Sequence, residues 1–147
     1  MFRSYMHHAL DEARAAAARG EVPVGAVVVL GGEVIAAAGN RTRELNDPSA
    51  HAEMLAIRAA CAALGQERLP GADLYVTLEP CAMCAGVIAA ARIARLYYGA
   101  EDPKSGGVAH GARVLDRAQA HHRPEIYPGI AEGEAAALLR EFFAGRR

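Results

Sequence analysis

The chain has no tryptophan, only three cysteines among 147 residues, and almost no excess of charge of either sign. Each shortage excludes something. Three cysteines in no regular pattern argue against a disulfide framework, so the thiols are expected to be reduced and the compartment cytoplasmic. The longest apolar run, residues 22–30, is interrupted by a proline and a glycine. It falls far short of the roughly 20 residues that a spanning helix needs. Met1–Leu10 lacks both an apolar run and a small-residue cleavage site, so no signal peptide and no membrane association are expected. A formal net charge of −1 excludes a broad electrostatic grip on duplex nucleic acid, but not a small basic rim around one cleft.

What is present reads as one globular domain over residues 1–147, with 52% hydrophobic residues and neither repeats nor low-complexity tracts. Residues 2–19 read as a helix whose stripe is Tyr5, Met6, Ala9, Leu10, Ala13 and Ala16, ended by Gly20. Residues 22–30 and 33–38 read as two strands joined by a Gly31-Gly32 hairpin; the first is nearly all apolar, as suits a strand covered on both faces. Asp47-Pro48-Ser49 offers a helix start, followed by Met54, Ile57, Cys61 and Leu64 on one face, with Cys61 expected in the core. Residues 72–78 form a strand, Pro80 opens a helix to about Ala91, and residues 92–100 return as a strand. Residues 101–124 read mostly as loop. Residues 131–144 close the chain as a helix carrying Leu138, Leu139, Phe142 and Phe143. This order, α-β-β-α-β-α-β-loop-α, implies a sheet sandwiched by helices.

Chemistry concentrates in two short stretches. Leu78–Gly86, "LEPCAMCAG", holds two cysteines three apart, a spacing shared by redox pairs, structural zinc sites and catalytic zinc sites. Ala82-Met83 between the thiols departs from the thioredoxin-type pair. Upstream, "AHAEM" (50–54) adds His51 and Glu53. His51, Cys81 and Cys84 make three protein ligands, the number a catalytic zinc uses while keeping one position open; a structural site would want a fourth. Two thiolates neutralise the dication, and a helix start favours the thiolate form. His51 and Glu53 are two apart and would diverge on a helix flank, so the metal is expected off the end of the helix, held between two helix starts. That leaves Glu53 free for general acid–base work.

His-x-Glu followed by Pro-Cys-x-x-Cys is the signature of the zinc-dependent nucleobase deaminases. Beyond it, "EVPVGAVVV" (21–29), "GNRTRELNDPSAHAEM" (39–54), "LYVTLEPCAMCAG" (74–86) and "GAEDPKSGG" (99–107) closely resemble the bacterial tRNA-specific adenosine deaminase family. The resemblance implies an α/β fold, a three-layer α/β/α sandwich around a mixed sheet of about five strands, of the cytidine deaminase-like type. It implies one Zn2+ per subunit on His51, Cys81 and Cys84, with Glu53 as proton shuttle. Asn40 would contact the flipped nucleoside, and the Ala50 backbone would lie against the base's reacting edge. Asp102, Lys104 and Ser105 would face the neighbouring ribose and phosphates of a tRNA anticodon stem-loop. The implied reaction is hydrolytic deamination of adenosine to inosine at the wobble position, by a homodimer.

The chain departs from the family pattern after Gly106, where "GVAHGARVLDRAQAHHRPEIYPG" (107–129) carries no transferable contacts. Bland roles compete at single positions: Asn40 as a turn residue, Lys104 as a surface charge, the 82–93 helix as core rather than dimer face. Two other functions compete at the level of the chain. One is a deaminase of a free base or nucleoside with the same zinc chemistry. The other is a non-catalytic, zinc-stabilised nucleic-acid binder with a fourth ligand.

Overall fold

In the computed structural model, which describes residues 2–146, the apolar run after Pro23 forms strand β1 (Gly25–Leu30) and turns through Gly31-Gly32 into β2 (Glu33–Gly39). Leu30 pairs with Glu33, so the hairpin loop is the two residues the sequence suggests. The remaining elements are α1 (Met6–Ala18), α2 (Ala52–Leu64), β3 (Asp73–Leu78), α3 (Ala82–Ala90), β4 (Arg95–Ala100), β5 (Glu125–Tyr127) and α4 (Glu132–Ala144). The sheet order is β2-β1-β3-β4-β5. β1 runs antiparallel to β2 and β3, whereas β3, β4 and β5 are parallel, so the sheet is mixed as expected.

Alternation along the strands divides the core in two. Leu74 and Val76 of β3 and Val28 of β1 point to a layer closed by Ile57 of α2 and Ile88 of α3. Tyr75, Val27 and Val29 point the other way, against Leu10 of α1 and Ala135 of α4. β1 is therefore buried on both faces, which explains its almost unbroken apolar sequence. The result is the three-layer α/β/α sandwich.

The small residues of α1 have a steric purpose. A Cβ on Gly25 would sit 1.9 Å from the Ala9 carbonyl oxygen, and one on Gly39 would sit 2.7 Å from that of Glu12. Ala9, Ala13 and Ala16 thus let the helix lie almost on the hairpin backbone.

Two expectations change. The first helix begins at Met6, not at residue 2: the Ser4 hydroxyl accepts the Met6 N–H, and Phe2 leaves the helix to stack on Tyr97. β5 is a strand that hydrophobic patterning does not reveal, because three residues between prolines carry too little alternation. Its pairing with β4 makes it a strand. Cys61 is half-buried against the α2/α3 core layer, while Leu64 and Phe143 are exposed. No helix among the described residues is long and apolar enough to cross a membrane.

Candidate active site

The antiparallel pairing of β1 with β3 brings the start of one strand beside the end of the other: the Gly25 N–H donates to the Thr77 hydroxyl at 3.1 Å. The ends of β2 and β4 reach the same edge. The Asn40 N–H donates to the Val24 carbonyl, and the Glu79 N–H donates to that of Ala100. Four chain segments thus converge on one cavity of about 290 Å³, lined by Val22, Val24, Asn40, Thr42, His51, Glu53, Leu78, Glu79, Cys81, Asp102 and Ser105.

Two helices begin at this cavity. His51 stands at the N-cap of α2 and Cys81 at the N-cap of α3, both with extended backbone. Each side chain leaves just off its helix axis, as spacing alone suggests, and Cys84 follows one turn into α3. His51 Nδ1 lies 3.6 Å from Cys81 Sγ and 3.4 Å from Cys84 Sγ. The donor atoms of the three residues all fall within 4.8 Å of one another. One imidazole nitrogen and two sulfurs at that separation suit a tetrahedral, thiophilic divalent metal, and no fourth His, Cys, Asp or Glu joins them among the described residues.

The electrostatics agree. A hydrogen bond from Cys84 first, opposed by burial and assisted by His51, pushes the Cys81 thiol down to about 4. Cys84 is driven upward by the same contact and by burial. Their mutual contact thus drives the two thiols in opposite directions, and metal binding requires both as thiolates. Glu53, two residues beyond His51, is only 4% exposed yet lines the cavity. Burial pushes its carboxyl up to about 7, against the pull of its own backbone N–H and of His51. A carboxyl poised there can take and return a proton at physiological pH.

Asn40 lines the cavity, and its side-chain oxygen accepts the Ala52 N–H at 3.2 Å, so it also anchors the start of α2. Ala50 is fully buried and is not among the lining residues; its N–H donates to Asp47 and its carbonyl accepts from Arg41. Asp102 and Ser105 line the cavity from the opposite wall, held together by the Ser105 N–H donating to Asp102 Oδ1. Lys104 is exposed on an outer groove that shares that wall and continues to Leu139 and Phe143 of α4.

Sequence reasoning assigned nothing to two buried carboxylates beside these walls. Glu21 accepts the N–H groups of Arg43 and Glu44 behind the Asn40 loop. Glu79 accepts those of Asp102, Val108, Ala109 and His110 behind the opposite loop. The one available signal for Glu79 was a charged residue standing between an apolar strand and the Pro-Cys pair.

A model of the MafB19-like deaminases matches residues 2–147, which sets the class. The tRNA-specific adenosine deaminase of Agrobacterium fabrum is 63% identical over 143 residues, covering 97% of this chain and 94% of its own length. A structure solved in work on A-to-I editing by tRNA:A34 deaminases at the wobble position superposes with a TM-score of 0.91. It is 64% identical and covers 92% of this chain and 98% of that one. The guanine deaminase of Nitrosomonas europaea is more distant, at 27% identity and a TM-score of 0.81, covering 95% and 82%. At these identities and this coverage, the chain belongs to the tRNA-specific adenosine deaminase family.

Proposed function

We propose that the chain, a single zinc-dependent deaminase domain, hydrolytically deaminates adenosine to inosine at the wobble position of a tRNA anticodon. The observation that carries this reading is the enclosed Glu53 carboxyl, two residues beyond the His51 of the His-Cys-Cys cluster, in a cavity with an open mouth. His51, Cys81 and Cys84 would hold one Zn2+ per subunit; the donor set fits that ion and is formally neutral with it. When bound, zinc supplies Lewis-acid activation of water. Glu53 takes one proton of the attacking water and delivers it to N1 of adenine as C6 is attacked. It then takes the second from the new C6 hydroxyl and passes it to the amino group, so that the C6–N bond breaks, ammonia leaves and a C6 carbonyl remains.

Asn40 would orient the flipped nucleoside from one wall. The Ala50 backbone, which the resemblance sets at the base's reacting edge, ties the Asn40 loop to the start of α2. Asp102 and Ser105 would meet the neighbouring ribose from the other wall, with Lys104 outside them for a phosphate. A low net charge suits a substrate whose unpaired bases splay into a pocket rather than a duplex held by its backbone. Such a substrate places the enzyme in the cytoplasm. The outward face of α3 is apolar, with Met83 exposed while Cys84, Ala85, Ile88 and Ala89 are buried inward, and we assign that face to a homodimer contact.

The guanine deaminase likeness favours one other reading, a free-base substrate in the same pocket. Ammonia release from an anticodon stem-loop, adenosine, cytosine and guanine separates the two. Release from the stem-loop supports the tRNA reading, and release only from a free compound rejects it.

A further inference from the structure

Glu79 has no side-chain surface exposed to solvent, and five donors converge on its carboxylate. Oε1 accepts the Asp102 N–H at 3.1 Å and lies 2.7 Å from His110 Nδ1. Oε2 accepts the N–H groups of Val108, Ala109 and His110 at 3.0–3.2 Å. Both ends of the segment 102–110 are therefore tied to one buried anion, and its middle carries Asp102, Lys104 and Ser105. Contact is so close that glycine is needed twice. A Cβ on Gly106 would lie 2.3 Å from Glu79 Oε2, and one on Gly107 would lie 2.4 Å from the Ala82 backbone nitrogen. The Gly107 N–H donates to the Pro80 carbonyl, which seats the segment against the start of α3.

We infer that Glu79 is a positioning residue that holds the segment 102–110 as the substrate-facing wall of the cavity, setting Asp102 and Ser105 for the nucleotides flanking the reacting base. The inference rests on the tRNA reading above. Hydrogen bonds to an ionised carboxylate are among the stronger ones in proteins, and here the acceptor is fully buried and has no other donors to turn to. An amide in place of the carboxylate can keep one oxygen toward Val108–His110, but its NH2 then faces the Asp102 N–H, donor against donor. Asp102 is thereby released while Glu53, His51 and the cysteines are untouched. Binding of flanking nucleotides should suffer and the chemical step should not.

The test compares wild type with Glu79→Gln and with Gly106→Ala, which displaces the same contact without altering the glutamate. The substrate is an anticodon stem-loop with adenosine at the wobble position. Both variants should bind zinc at the wild-type stoichiometry, raise KM by about tenfold and change kcat by less than about threefold. Amide hydrogen exchange over residues 102–110 should accelerate. Unchanged KM in both variants overturns the proposal; so does loss of zinc or of folding in both, which would assign Glu79 to the metal centre instead. A wild-type enzyme inert on the stem-loop defeats the functional reading, and the exchange measurement still decides whether Glu79 holds the segment.

Discussion

Glu53 and Glu79 are both buried acids at one cavity, and their surroundings drive them in opposite directions. Around Glu53 burial dominates and raises the carboxyl to about 7, as a proton shuttle requires. Replacing it by Gln keeps the shape and removes the proposed proton shuttle. Glu53→Gln should therefore retain bound zinc while losing about 10²–10⁴-fold or more in turnover, measured as inosine formed per zinc-loaded subunit. Around Glu79 burial also raises the carboxyl, but His110 and the backbone N–H groups of Asp102, His110 and Val108 outweigh it and leave it lowered. A carboxyl depressed in the folded state stabilises the fold above its unfolded value of about 4.3, and the contribution is lost as pH falls through the folded value. Wild type should thus lose unfolding free energy more steeply than Glu79→Gln on acidification below about pH 4.5. Urea titrations at stepped pH would read this, and parallel slopes would contradict it. His51, Glu53, Cys81 and Cys84 were legible in the sequence because ligand chemistry and short spacing are local properties. Glu21 and Glu79 were not, because their partners lie more than twenty residues away and, apart from the His110 ring on Glu79, are backbone groups, which no side-chain pattern advertises.

At the scale of elements, the site depends on how closely α1 lies on the β1–β2 hairpin, since that hairpin delivers Val24 and Asn40 to the cavity. Gly25→Ala places a methyl group against the backbone of Ala9 and Ala13. Overpacking of this kind costs about 1–3 kcal/mol, and here backbone rather than a side chain must yield. The variant should melt several degrees lower in a thermal scan; an unchanged melting temperature would show that the helix can lift without cost. Four helices and the strands β1 to β4 were legible because each carries enough apolar periodicity or a bounded apolar run. β5 and the true start of α1 were not. Glu125–Tyr127 is a strand by virtue of its parallel register with β4, and Phe2 leaves the helix for an aromatic stack with Tyr97. Both are tertiary choices. The helix starts at the cavity show the same limit: Asp47-Pro48-Ser49 and Pro80 mark the right neighbourhoods, but α2 and α3 begin a few residues later, so that His51 and Cys81 become caps.

At the scale of the whole molecule, the proposed metal joins two helix starts that β3 and the loop after β2 bring together. A ligand bound only by the folded chain stabilises it by mass action. Removing zinc with a chelator, or replacing His51 by Ala, should lower the melting temperature, and adding zinc back should restore it for wild type alone. Equal melting with and without the ion would place the metal elsewhere. The proposed activity of this cavity is deamination of one adenosine in the anticodon loop of a tRNA. Its most direct test is to incubate the zinc-loaded enzyme with a tRNA transcript bearing adenosine at the wobble position, then map inosine by mass after nuclease digestion. Inosine is expected at the wobble position alone, with one ammonia released per inosine and none from the Glu53→Gln enzyme. An unmodified transcript, in the presence of enzyme that readily deaminates free guanine, would contradict it.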